Sequence, residues 1–395
     1  MKILFATTRW PWPPRRGNEL RAAQWVEALV EAHPVTLVVP RRPGDLAPRD
    51  LAGLTVVSTR REPLTAAWGL LASLFSGAPL QTGLYRSRSF ARALRAEAPR
   101  HDLQIAQLVR LAPMLSSFGP SPLWVDLVDS LSLNFARRAE FDAWWRFPAL
   151  ALEANRLLRA ERRFIERSSL ASVVCDRDRS DLARRIETGL SERLRVVPLA
   201  IPLGDAAEAA PGNREPMILL SGNLGYFPTV DGARWFLRAP WPEIRARHPQ
   251  VRCVFAGARP PRGLAAEARR AGVEVIADPP DLRSLVAQAA VSIAPARAGS
   301  GVSIKVLEAW SVGTPVVATR FTADGAAMRS GIDGWIADSP REWVEAIDRL
   351  LTDPGLRSTL AVASRRRIER DHDPARVAEL VRRTASDLLD AARRR

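Results

Sequence analysis

With 395 residues the chain is longer than one ordinary domain of roughly 100–200 residues, so two domains of similar size are expected and a single small module is excluded. A hydrophobic content of 47% with 12 Trp excludes a mainly disordered chain, and two Cys, both in apolar runs, exclude a disulfide framework and point to a reducing compartment. The formal charge of +15 argues for an anionic partner, whether nucleic acid, anionic membrane or a phosphorylated small molecule, although the arginine skew behind it (all but Lys2 and Lys305 of 58 basic residues) reads as genome composition.

The first predicted element is a strand in KILFATT, whose apolar patch meets Arg9 too soon for the core of a signal peptide, so a cytoplasmic location is expected. The amphipathic stretch from Glu19 reads as a helix, and strands follow in VTLVV from Val35 and TVV at Thr55. From Pro63 to Tyr85 the chain carries no charge, but Gly69, Ser73, Ser76, Gly77 and Pro79 interrupt it; a buried or interfacial helix fits better than a membrane span. Further strands are predicted in LQIAQL from Leu103, LWVDLV from Leu123, ASVVC from Ala171 and LRVVPL from Leu194. Asn134 to Ser168 interleaves Phe135, Phe141, Trp144, Trp145 and Phe147 with eight arginines, which suits either helix packing with a solvated face or contact with anionic headgroups.

The small, polar and proline-rich residues 204–216 read as a linker between an N-terminal domain, 1–203, and a C-terminal domain, 217–374. Strands restart in ILLSGN at Ile218, VRCVFAG at Val251, VEVIA at Val273, VSIAPA at Val291 and PVVAT at Pro315. Residues 375–395 form an amphipathic helix, for which crossing back to the N-terminal domain is an open route. Strands alternating with helices imply α/β domains with parallel sheets, in which ligands bind beyond the carboxyl ends of strands.

The densest chemical signal runs from Pro295 to Thr319 as strand, glycine-rich turn, helix, tight turn and strand. Gly299 and Gly301 let backbone turn closely around a ligand, and the amides of Ser300, Gly301 and Val302 are expected at a helix N-terminus, which attracts phosphate. Lys305 and Glu308 lie three apart on one helical face, placed to meet a diphosphate and a ribose diol; the bland alternative is a surface ion pair. Asp176, Asp178, Asp371 and Asp373 read as solvated loop acids or caps, no metal site is expected, and the four histidines are assigned structural roles. Asp129, at the exit of LWVDLV, is the candidate catalytic acid, with capping of the helix near Leu131 as its other role.

Lys305-Val-Leu-Glu308-Ala together with Gly313-Thr-Pro-Val-Val-Ala-Thr319 resembles the donor-nucleotide motif of family 4 glycosyltransferases, within the glycosyl transferases of group 1. The resemblance implies the GT-B architecture, two Rossmann-like α/β domains facing each other across a cleft. Gly222-Asn223-Leu-Gly-Tyr-Phe-Pro-Thr-Val-Asp231 is similar to the opening loop of that family's C-terminal domain; Arg9-Trp10-Pro-Trp12 with Gly17-Asn18, and Asp126 to Ser130, resemble elements of its bacterial exopolysaccharide subgroup. It implies a nucleotide-diphosphate sugar as donor substrate, no cofactor, and a carbohydrate or lipid-linked acceptor in envelope or exopolysaccharide assembly. It further implies transfer with retention and without a metal; no nucleic-acid partner is expected because the basic residues are dispersed among acids with no recognition motif, and peripheral contact with the inner face of the plasma membrane stays open on the stretch Asn134 to Ser168.

Carried over, Gly222, Asn223, Gly17 and the turn Gly299-Ser300-Gly301 approach the diphosphate, Lys305 neutralises it, Glu308 holds the ribose and Pro279 borders the base. Trp10, Trp12 and Asn18 fall on the acceptor side, the tryptophans either stacking on a sugar or plugging an apolar seam. Ser300 departs from the family, many members of which carry a second glutamate there. Three alternatives stay open: a nucleotide-sugar epimerase on the same fold, a catalytically dead relative, and an arginine-rich nucleic-acid-binding protein.

Overall fold

A computed structural model describes residues 1–41, 45, 51–60, 62–204 and 214–394. Of the expected linker, residues 205–213 lie outside the described residues. The chain divides into two compact units, residues 1–200 with 374–395, and residues 201–373.

In the first unit the described residues form a seven-stranded, all-parallel sheet of order β3-β2-β1-β4-β5-β6-β7. The strands are β1 (Ile3–Ala6), β2 (Val35–Pro40), β3 (Leu54–Thr59), β4 (Leu103–Gln107), β5 (Leu123–Val128), β6 (Leu170–Val173) and β7 (Leu194–Val196). All four residues of β1 are buried, as expected of a central parallel strand covered on both faces. Period-2 alternation sends Ile3 and Phe5 into the layer of the helix Gly17–Val30, and Leu4 and Ala6 into the opposite layer with Phe90, Leu94 and Phe164. The C-terminal helix Pro374–Arg393 joins the first of these layers through Val381, Ala385 and Leu389, four residues apart and so on one helical stripe.

In the second unit six strands, β8 (Glu215–Asn223), β9 (Arg252–Ala258), β10 (Glu274–Ala277), β11 (Ala289–Ala294), β12 (Val316–Ala318) and β13 (Trp335–Ile336), pair in the order β10-β9-β8-β11-β12-β13, again all parallel. Relative to its own first strand each unit begins 3-2-1-4-5-6, the doubly wound order, so each has a switch point where the winding reverses: β1/β4 in one and β8/β11 in the other. The two-residue β13 has no apolar run and goes unread in the sequence.

Asp126, which the sequence places in a strand-exit element, points instead into the interior. Its carboxylate and the guanidinium of Arg21 are both fully buried and make two bonds, Nε to Oδ2 at 2.8 Å and Nη2 to Oδ1 at 2.9 Å. Arg21 spends its remaining nitrogen on the carbonyls of Val197 (2.7 Å) and Pro198 (3.1 Å) and lies 4.4 Å from the ring centre of Trp25; Asp126 also accepts from Ser172 Oγ. One cation thus ties a helix, a central strand and the segment after β7. Because the carboxylate left behind has no route to water, Arg21→Met is expected to cost about 3–5 kcal/mol. Urea unfolding of the variant, beside Arg21→Met/Asp126→Leu, checks this: the double variant should recover part of the loss.

Candidate functional site

The switch point of the second unit carries the residues singled out for donor chemistry. β8 ends in Gly222 (φ 104°) and Asn223, and β9 passes beside it through Gly257 (φ 149°). A Cβ on Gly257 would stand 1.7 Å from the Gly222 carbonyl oxygen, so the two strand ends approach more closely than any side chain allows. A Cβ on Gly222 would lie 3.7 Å from Lys305 Cε, so that exit and the lysine are immediate neighbours. Asn223 Oδ1 accepts from the Gly225 amide at 3.1 Å and shapes the turn into the helix Phe227–Arg238.

The exit of β11 is anchored on several sides. Arg297 makes a two-pronged ion pair with Asp231 (3.0 and 2.8 Å), and Thr319 and Thr322 donate to the Ala296 carbonyl. Gly232 has no room for a Cβ, which would meet the Pro295 carbonyl oxygen at 2.4 Å. Gly299 (φ 130°) and Gly301 (φ 66°) turn the chain between Pro228 and Phe321. The following helix begins at Ile304 with Ser303 as its N-cap, so Ser300, Gly301 and Val302 precede the helix instead of forming its first amides.

On that helix, Ile304–Ser311, Lys305 and Glu308 project from one face, partly exposed at the surface yet closely surrounded by protein atoms. Burial lowers the lysine to about 8 against the attraction of Glu308, and burial raises Glu308 to about 7 against the attraction of Lys305 and Arg283. Lys305 Nζ donates to Thr229 Oγ1 at 3.3 Å. Burial therefore works against the charge on each group while leaving the lysine mostly protonated near neutral pH, an arrangement suited to an anion beside the lysine and a hydroxyl donor beside the carboxylate. Pro279 sits farther along, two residues beyond β10, whose exit is tied to β9 by the Asp278 amide on the Gly257 carbonyl at 3.0 Å.

At the switch point of the first unit, Thr7 Oγ1 donates to Gln107 Oε1 at 2.9 Å across the ends of β1 and β4. Gly17 opens the helix Gly17–Val30, and Arg9 donates to Asn18 Oδ1 (3.3 Å) and the Tyr85 hydroxyl (3.4 Å). Trp10 and Trp12 are buried, edge to face at 5.7 Å, and Trp12 Nε1 donates to Glu27. Of the two roles open to them, plugging an apolar seam is the one this burial serves.

Asp129 is half-buried just past β5, but the cap of the helix Leu131–Phe141 is Ser130, whose hydroxyl accepts from the Leu133 amide; this corrects the capping role considered for Asp129. Asp178 is likewise no solvated acid. It is fully buried and accepts from the Ser130 amide at 2.9 Å, while Glu161, pushed by burial to about 7, accepts from the Ser132 amide at 3.1 Å. Just before Asp129, Val128 holds φ 67°, and Leu108, leaving β4, holds φ 75°. Left-handed backbone costs a β-branched residue of order 1–3 kcal/mol and clusters at working loops.

Sequence reasoning missed the Arg297–Asp231 brace, Thr229, Glu161 and Gly257. Gly257 left a signal as an isolated glycine inside a strand pattern, and Thr229 and Asp231 lie within the motif quoted from Gly222 without a role of their own there. Of the histidines, His101 bridges the Glu97 carbonyl and Thr36, and His248 meets Asp348, each holding elements in place.

Residues 215–353 match the sequence model of the family described as Glycosyl transferases group 1, so the second unit carries a domain of that family. A D-inositol 3-phosphate glycosyltransferase of Acidothermus cellulolyticus is 32% identical over 234 residues, 52% of this chain and 51% of that protein. One of Corynebacterium urealyticum is 36% identical over 85 residues, 21% and 20% of the two chains. The chain thus spans about half the length, or less, of these curated relatives. Over 99% of both chains the fold is similar to that of sucrose-phosphate synthase from Thermosynechococcus elongatus, with TM-score 0.76 and 16% identity. It is also similar to Anabaena HepE in complex with UDP and glucose, with TM-score 0.67 and 16% identity over 98% and 99% of the two chains. The fold is therefore the α/β fold of GT-B glycosyltransferases, two Rossmann-like parallel-sheet domains.

The close pass of β9 over β8 has a measurable consequence. Gly257→Ala forces either strand to move and is expected to destabilise the second unit by about 3 kcal/mol. Denaturant unfolding against the wild type checks it, with Gly189→Ala, where a Cβ meets nothing within 4 Å, as the neutral control.

Proposed function

We propose that this protein is a glycosyltransferase of family 4 that moves a sugar from a nucleoside-diphosphate sugar to a carbohydrate or lipid-linked acceptor. The observation that carries the reading is the placement of Lys305 and Glu308 on one helical face beside Gly222, at the switch point where doubly wound sheets bind ligands. In this reading Gly222, Asn223 and the turn Gly299-Ser300-Gly301 lie along the diphosphate, Lys305 offsets its charge, Glu308 accepts from the ribose diol, and Pro279 borders the base. The UDP and glucose of the Anabaena HepE structure make uridine nucleotides the first to try.

Transfer proceeds with retention and without a metal, the positive charge coming from Lys305 and the turn, and the departing phosphate takes the acceptor's proton. Ser300 supplies a hydroxyl where many family members supply a carboxylate, which changes how the sugar is held. By the family resemblance Gly17 is assigned to the phosphates and Asn18 to the acceptor, and Asp129 is the candidate catalytic acid. A role in envelope or exopolysaccharide assembly at the inner face of the plasma membrane belongs to the same reading.

Two measurements test it. Glu308→Ala should lower the affinity for uridine or guanosine diphosphate about a hundredfold, roughly 3 kcal/mol for two charge-assisted bonds. Calorimetric titration of both proteins decides; equal affinities refute the ribose role. The pH dependence of nucleotide-sugar binding should be bell-shaped. Below about 7 Glu308 takes up a proton and stops accepting, and above about 8 Lys305 loses the proton that offsets the diphosphate. Affinity should therefore peak between those values and fall roughly tenfold per pH unit beyond either limb. Glu308→Gln should erase the acid limb alone.

A further inference from the structure

The uncharged segment from Pro63 folds into the helix Pro63–Ser76, and its packing is inverted relative to an ordinary surface helix. The face turned to the protein is small: Gly69 and Ser73 are buried, and a Cβ on Gly69 would meet the Gly83 carbonyl oxygen at 2.3 Å, so the helix rests on the short helix Leu80–Gly83 at backbone distance. The face turned to solvent is large and apolar. Leu64, Trp68, Leu71 and Phe75 follow the i, i+4, i+7, i+11 stripe and are 79%, 71%, 45% and 86% exposed.

A second exposed apolar group lies ahead of Glu153, a residue bound to the short helix beneath the first. The Glu153 carboxylate accepts from the Leu80 and Gln81 amides at 3.0 and 2.9 Å, which fastens the helix Phe147–Arg167 to the start of the short helix Leu80–Gly83 on which the first helix rests. Ahead of Glu153 the chain exposes Trp144 (86%), Trp145 (61%) and Phe147. Exposed patches of this extent mark interaction sites. Arginines are built into both halves: Arg86 lies against Gly69, and the Arg146 guanidinium sits 4.6 Å from the ring centre of Trp145 while also meeting Asp142 at 3.3 Å. Arg60, Arg88, Arg92 and Arg95 are exposed nearby in sequence, with Glu62 engaged on the Arg88 and Ser89 amides.

We infer that this two-part surface docks on an anionic phospholipid bilayer, with Trp68, Phe75, Trp144 and Trp145 entering the interface and the arginines meeting headgroup phosphates. The charge decides the occupant. Two copies of a chain carrying +15 would bring arginine-flanked faces together and repel, whereas anionic lipid is attracted by each of them. Among the described residues no helix is long and apolar enough to cross a membrane, so the association is one of lying on the surface. The inference deepens the membrane placement contained in the proposed function but uses none of the donor-site residues, so either can fail without the other.

The test is co-sedimentation of the full chain with vesicles of phosphatidylcholine alone and of phosphatidylcholine with phosphatidylglycerol. The wild type should bind the anionic vesicles and lose most of that binding in the neutral ones or at high salt. Trp68→Ser/Phe75→Ser and, separately, Trp144→Ser/Trp145→Ser should each need about tenfold more lipid for half-binding. All four residues are exposed, so unfolding midpoints should stay at the wild-type value, and nucleotide-induced thermal shifts in the variants report the donor site independently. Equal vesicle binding by wild type and both variants overturns the inference. So does a wild-type dimer that either pair of substitutions converts to monomer, which would make a second copy the occupant.

Discussion

The donor-side reading depends on desolvation at a single helical turn. Lys305 and Glu308 are surrounded closely enough that burial outweighs their mutual attraction, so the environment disfavours the charge on each. Such a pair contributes little as a structural ion pair, and in the proposed donor role an anion beside one group and hydroxyl donors beside the other would stabilise it. The surrounding backbone serves that requirement. Gly222 and Gly257 bring two strand ends close together, Gly232 admits the β11 exit against the helix Phe227–Arg238, and Arg297 on Asp231 fixes the turn that precedes the lysine.

Much of this architecture was legible because parallel sheets are read from composition. Buried strands such as Ile3–Ala6 and Ala289–Ala294 are short β-branched or small apolar runs bounded by turn residues, and twelve of the thirteen strands among the described residues were visible that way. Trp335–Ile336 was not, because two residues carry no period. The turn at Gly299 and Gly301 was legible from its glycines, but the start of its helix was not, since Ser303 caps without a side-chain bond and leaves no distinct signature.

Buried polar partnerships were beyond reach for a different reason. Asp178 and Asp176 look alike in the chain, yet Asp178 is sealed against Ser130 while Asp176 stays at the surface paired with Arg179. Asp126 and Arg21 are 105 positions apart, and only the pairing of β5 with its neighbours brings the helix Gly17–Val30 over that carboxylate. The uncharged segment from Pro63 shows the same limit in apolar form. Gly69 and Ser73 were read as interruptions of a hydrophobic run, but they are its contact face, and the residues that looked like core are the ones left outside.

The two units share a strand order and differ in how their exits are shaped. In the second, left-handed backbone at Gly222, at Gly257 and in the turn after β11 falls on glycine, which bears it without strain and leaves room for a ligand against main chain, while just past β9 and β10 it falls on Arg259 (φ 54°) and Asp278 (φ 45°), neither of them β-branched. In the first, the exits of β4 and β5 place Leu108 and Val128 in that region, held by the Leu108 amide on the Asp126 carbonyl (2.7 Å) and by the Val174 amide on the Val128 carbonyl (2.8 Å). Since Asp126 is also the partner of Arg21, one buried carboxylate lies on the strand that fixes both strained exits. The strain beside Asp129 is thus sustained by the interior of the sheet, and a loop kept in that state against its own preference is better suited to orienting a side chain than to adapting around one.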